Sequence, residues 1–81
     1  MRAFAGFDRI VTDPDVLDGK PCVRGTRLSV ERVLEVLAEQ PSQEDLQADY
    51  PQLTAEDVRQ VLLFASRLAG EKIIPLDSSA A

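Results

Sequence analysis

The chain has no histidine, one cysteine and few aromatic residues, and each shortage removes a class of function. Without histidine, neither Cys22 nor any serine has a general base beside it, so no nucleophilic dyad can be assembled. The 14 acidic residues are mostly of helix-cap or surface type, with no pair on an apolar background that would raise a carboxyl pKa. No catalytic residue is assigned, and an enzyme is not expected. One thiol excludes an internal disulfide framework, and without a second thiol or a histidine no zinc site can be built. No metal or cofactor is expected. No apolar run approaches ~18 residues, which excludes a membrane-spanning helix. The opening Met1-Arg2-Ala3-Phe4-Ala5-Gly6-Phe7 lacks the continuous apolar stretch of a signal peptide, so a cytoplasmic location is expected.

What is present is a small aliphatic domain. With 44% hydrophobic and 5% aromatic residues, the 81-residue chain suits a compact core rather than disorder. A domain this small buries only about 60% of its unfolded surface, which makes the monomer marginal and a homodimer the expected state. A single domain over 1–81 is expected, divided into a β-ribbon and Arg-Gly-Thr-Arg loop (8–28), a three-helix unit (29–70) and a C-terminal tail (71–81).

Gly19 to Val30, reading G-K-P-C-V-R-G-T-R-L-S-V, is the most densely specified stretch. Gly19 and Gly25 mark turn positions of positive φ, and Lys20-Pro21 imposes an extended step. Arg24 and Arg27 lie near a helix start, where the helix dipole gives a cation no advantage. They serve either the chain's own carboxylates or an anionic partner. Cys22, between Pro21 and Val23, reads as a small core side chain rather than a reactive thiol.

Ile10-Val11-Thr12, closed by Asp13-Pro14-Asp15, and Pro21-Cys22-Val23-Arg24 read as two short strands. Such a ribbon is barely stable alone and exposes unpaired edges that a second copy could satisfy. Ser29 then caps a helix whose Val30, Val33, Leu34 and Leu37 share one face. Gln40-Pro41 stops it. Ser42 opens a short second helix with Leu46 and Tyr50 on one face, ended by Pro51. Thr54 caps a third, with Asp57 in the capping-box position and Gly70 at the end. Its stripe is expected to be Val58, Val61, Leu62, Ala65, Leu68 and Ala69, with Phe64 at the edge and Leu63 pointing away. The fold class expected is mainly α: a short N-terminal β-ribbon followed by a three-helix, homeodomain-like helix-turn-helix unit.

The motifs Gly19-Lys20-Pro21, Arg24-Gly25-Thr26-Arg27, Tyr50-Pro51-Gln52-Leu53-Thr54 and Glu56-Asp57-Val58 stand in an order and spacing that resemble the domain-of-unknown-function family numbered 433. The likeness runs from about Phe7 to Leu68. It departs at Gln40-Pro41, where the family often has a glycine after its first helix. The resemblance implies a homeodomain-like protein similar to VapB-type antitoxins. Such a protein dimerises, silences a PIN-like ribonuclease toxin and represses their shared operon. The alternative is a stand-alone helix-turn-helix transcriptional regulator without a toxin partner.

Charge bears on both. The net of −5 opposes strong DNA binding, which rests on phosphate neutralisation. Residues 1–40 carry a net of −1 and residues 41–81 a net of −4, with the cations concentrated between Lys20 and Arg32. Lys20, Arg24, Thr26 and Arg27 are therefore the candidate DNA contacts, joined by Arg59 from the last helix. The acidic second half suits a basic ribonuclease. Leu63, Phe64, Ile73, Ile74 and Leu76 are the candidate partner contacts, the last three in an apolar, proline-broken tail shaped for a groove or a sheet edge.

Overall fold

Phe7 to Thr12 alternates only loosely, because Ile10 and Val11, adjacent and on opposite faces of a strand, are both apolar and both buried. In the computed structural model, which describes residues 1–39 and 42–70, this segment is the central strand of a three-stranded antiparallel sheet. We denote the strands β1 (Arg2–Phe4), β2 (Phe7–Thr12) and β3 (Cys22–Val23), in the order β1-β2-β3. Ile10 pairs with Val23 and Val11 with Cys22, so the two short strands pair within one chain.

Strand β1 was not expected. It pairs Arg2 with Thr12, Ala3 with Val11 and Phe4 with Phe7, with an irregularity between Ala3 and Phe4. Its residues are not β-branched, and its turn is Ala5-Gly6 rather than an Asn-Gly or Asp-Gly signal. Gly6 at φ 83 supplies the left-handed residue that this tight turn requires. The edges also differ from expectation. The chain itself closes the outer side of β3, because the Val23 amide donates to the Leu28 carbonyl and the Val30 amide to the Pro21 carbonyl, both at 2.9 Å. Among the described residues, the open edge is the short β1.

The sheet leads into three helices: α1 (Val30–Glu39), α2 (Gln43–Asp49) and α3 (Ala55–Ala69). All three expected caps form. Ser29 Oγ accepts from the Arg32 amide at 2.9 Å, and Ser42 Oγ from the Asp45 amide at 3.4 Å. Thr54 and Asp57 complete a reciprocal capping box. In the α2–α3 turn, the Leu53 amide donates to the Tyr50 carbonyl at 3.0 Å, and Leu53 drops into the core. The architecture is the expected one: a short sheet followed by a three-helix unit in helix-turn-helix order.

The core runs through Ile10, Val23, Val33, Leu46 and Val61. Helix α1 buries Val30, Val33 and Val36, with Leu34 and Leu37 half-buried beside them. Helix α3 is rotated from its expected setting. It buries Asp57, Gln60, Val61 and Phe64, while Leu62 and Leu68 are 51% and 57% exposed. Polar anchors near its N-terminus set that rotation. No helix among the described residues is long and apolar enough to cross a membrane.

Candidate functional site

The Arg-Gly-Thr-Arg segment is a hydrogen-bonded turn between β3 and α1. Gly25 sits at φ 78, and an added Cβ there would meet nothing within 4 Å. Backbone angle, not space, therefore selects glycine. Thr26 staples the turn: its amide and hydroxyl both donate to the Val23 carbonyl, at 3.0 and 2.9 Å, and its oxygen accepts from the Leu28 amide at 3.0 Å. The hydroxyl expected at a phosphate is thus turned inward, since the tight turn leaves no other partner for these backbone groups.

Arg24 is interlocked with β2. Its Nε donates to the Asp8 carbonyl at 2.7 Å, its amide donates to the Arg9 carbonyl at 2.8 Å, and its own carbonyl accepts from Arg9 Nη2 at 3.1 Å. Lys20 meets Glu31 at 3.3 Å in an exposed ion pair. Arg59 grips Glu56 through Nε to Oε1 at 2.8 Å and Nη2 to Oε2 at 2.6 Å. Those two hydrogen bonds, with a third from Gln60, bring the Glu56 carboxyl down to about 2. Of the expected DNA-contact residues, only Arg27 is exposed with no partner among the described residues.

Sequence reasoning missed the residues that organise this region. Asp57 is fully buried, and its Oδ1 lies 2.6 Å from Arg9 Nε. Its Oδ2 accepts from the Thr54 amide at 3.0 Å. Burial pushes the Asp57 carboxyl up, but the Arg9 hydrogen bond, the Thr54 amide and the Arg9 charge together hold it below the usual carboxylate range. The same bond holds the Arg9 guanidinium above its ordinary value, against the opposing effect of burial. Gln60 completes the set. Its Oε1 accepts from the Arg9 amide at 2.9 Å, while Nε2 donates to Asp8 Oδ1 at 2.7 Å and Glu56 Oε2 at 2.8 Å. The capping role of Asp57 was visible in the sequence, but nothing local marked Asp8, Arg9 or Gln60.

This network joins β2, the Arg-Gly-Thr-Arg turn and the start of α3 into one polar unit. Its hydrogen bonds hold the Asp57 and Glu56 carboxyls below their ordinary values and fix these elements against one another. Burial, with a smaller contribution from Asp13, pushes the Cys22 thiol up and away from thiolate reactivity. Cys22 is the small core side chain that the sequence reading favoured.

The expected partner contacts separate. Leu63 is 36% exposed on the outer side of α3. The Phe64 ring packs into the core, edge-on to Phe4 and Phe7 at centroid distances of 5.0 and 5.3 Å, and its remaining surface lines a groove between α1 and α3 rather than the outer face. The rotation of α3 carries it there and turns Leu62 and Leu68 outward instead. Ile73, Ile74 and Leu76 lie outside the described residues.

A family model described as "Protein of unknown function (DUF433)" matches residues 10–65. No curated protein and no solved structure matches the chain.

Proposed function

The chain belongs to the DUF433 family, and from that membership and the site's geometry we propose that it is the antitoxin of a type II toxin–antitoxin pair. It binds and neutralises a PIN-like ribonuclease and, as a cytoplasmic homodimer, autoregulates their operon by binding DNA. It has no catalytic role of its own.

One observation carries the protein-binding part of this reading. Most of the described cations are committed to partners within the chain: Arg9 to Asp57, Arg24 to Asp8, Arg59 to Glu56, Lys20 to Glu31 and Arg67 over the Phe7 ring. A surface whose basic groups are so occupied, on a chain of net −5, has little left for phosphate and complements a basic RNA-binding protein. The β1 edge supports self-association, since a second β1 could pair there.

The runner-up, a stand-alone transcriptional regulator, draws on a different observation. Arg27 and Arg32 are exposed without partners among the described residues, and α2 and α3 stand in helix-turn-helix order. Co-expression with the product of the adjacent reading frame, followed by pull-down and a ribonuclease assay, separates the two. The antitoxin reading expects capture and silencing of a ribonuclease. A chain that retards operator DNA but captures no nuclease is the regulator instead.

A further inference from the structure

Between α1 and α3 lies an open apolar groove of about 420 Å³. Val30 and Leu34 form one wall and Phe64 and Leu68 the other, with Pro21 at one end. The groove is built before anything enters it, because Phe4 and Phe7 pack edge-on against the Phe64 ring and fix it. A preformed site avoids the ordering penalty that weakens association. Leu68, more than half exposed at the rim, is the type of side chain that a docking surface leaves in water until it is covered.

Charge at the rim selects the occupant. Glu31 and Glu35 stand on the α1 side. Lys20 answers Glu31 at 3.3 Å, whereas Glu35 has no partner among the described residues. A second copy seated symmetrically here would bring the same acidic rim toward itself, which is unfavourable. A cationic segment meets the rim with opposite charge.

We infer that this groove docks an amphipathic segment of the partner ribonuclease, with aliphatic side chains entering between Leu34 and Leu68 and a lysine or arginine reaching Glu35. This assignment rests on the antitoxin reading and names the surface by which it works. It follows the helix-in-groove mode, in which apolar anchors supply affinity and flanking charge supplies selectivity.

Two measurements test it on the full chain. In the first, isotope-labelled protein is titrated with a synthetic leucine–lysine amphipathic helix as the probe, and with a leucine–glutamate helix of the same apolar face. The amides of Leu34, Glu35 and Leu68 are expected to shift with the lysine probe, with affinity about tenfold above that of the glutamate probe. Glu35→Lys should abolish that preference. Equal binding of both probes overturns the inference, as do shifts confined to another face. So do contacts from the chain's own residues filling the groove, or concentration-dependent shifts at these residues without probe, which would mark a second copy. In the second, Leu68→Asp is compared with the parent in the ribonuclease pull-down, with circular dichroism confirming the fold. Loss of capture supports the groove, and undiminished capture overturns it while leaving the antitoxin function standing. If the parent itself captures no nuclease, the antitoxin reading fails, and the probe titration alone still decides whether the groove selects a cationic segment.

Discussion

Arg9 Nε lies 2.6 Å from Asp57 Oδ1, and this contact joins the central strand to the first turn of α3 across 48 residues of sequence. The Arg9 side chain remains 30% exposed while that of Asp57 is fully enclosed, so the two ends of the pair are unequal. Arg9 keeps part of its hydration, but an Asp57 left alone would be an uncompensated buried charge. The same carboxylate closes the capping box with Thr54, so one side chain fixes both where α3 starts and which face it turns to the sheet.

Removing Arg9 should therefore destabilise the fold strongly. Arg9→Met is expected to cost about 3–5 kcal/mol, the penalty of breaking a buried pair by deleting one partner. Thr54→Ala, which removes only the hydroxyl cap, should cost about 1 kcal/mol. Urea denaturation of both variants checks the order. Equal losses would mean that Asp57 acts as a cap and little else.

The depressed carboxylates give acid stability a definite direction. Asp57 and Glu56 both have folded-state values below their unfolded ones. Their contribution is thus fully present above the unfolded range, about pH 4, and is lost as the pH falls through the folded values, about 2 for Glu56. Chemical denaturation at stepped pH should show the folding free energy falling between about pH 4 and 2. Between about pH 6 and 8 it should be nearly flat, because the chain has no histidine and burial pushes the Cys22 thiol up. A strong slope near neutrality would refute this account.

Features settled within a few residues were legible in the sequence. Ser29, Ser42 and Thr54 announce helix starts because a cap bonds an amide three positions on, and Gly19 and Gly25 take the positive φ expected of them. Features settled across the chain were not legible. An aspartate at the third position of a helix ordinarily faces water, so nothing local told that Asp57 is buried or that Arg9 would meet it. The stripe drawn through Leu62 and Leu68 failed for the same reason. Counting apolar residues misses a helix docked partly by an ion pair and a glutamine. At the candidate site, the Arg-Gly-Thr-Arg turn was located correctly, but sequence could not separate Arg24, tied to Asp8, from the unpartnered Arg27.

Those two arginines should now behave differently. Arg24→Ala removes the side-chain bond to the Asp8 carbonyl and should cost about 1 kcal/mol. Arg27→Ala should stay within about 0.5 kcal/mol of the parent, as surface substitutions do. If operator DNA is bound, Arg27→Ala should weaken it across sequences and reduce the salt slope by about one. Thermal denaturation and a salt-dependent mobility-shift assay check the pair. A stability loss confined to Arg27→Ala would reverse the assignment.

Leu63 and Phe64 offer the sharpest contrast between neighbours. Both are candidates for partner contact, but Leu63 stands on the outer face of α3 and Phe64 in the core beneath the groove. Phe64 is 7% exposed and holds Phe4 and Phe7 edge-on, so Phe64→Ala removes a ring from a core with few aromatic residues. A loss of about 3–5 kcal/mol is expected, enough to unfold much of a small domain. Phe64→Leu keeps most of the volume and should lose about half as much or less. Leu63→Ala, on the outer face of α3, should change stability by less than about 0.5 kcal/mol. Ribonuclease capture is then informative for Leu63→Ala and Phe64→Leu, both of which should stay folded. If Leu63→Ala lowers capture, the outer face of α3 joins the groove that Phe64 lines as partner surface. If Leu63→Ala destabilises the domain as strongly as Phe64→Ala, the orientation of α3 described above is wrong.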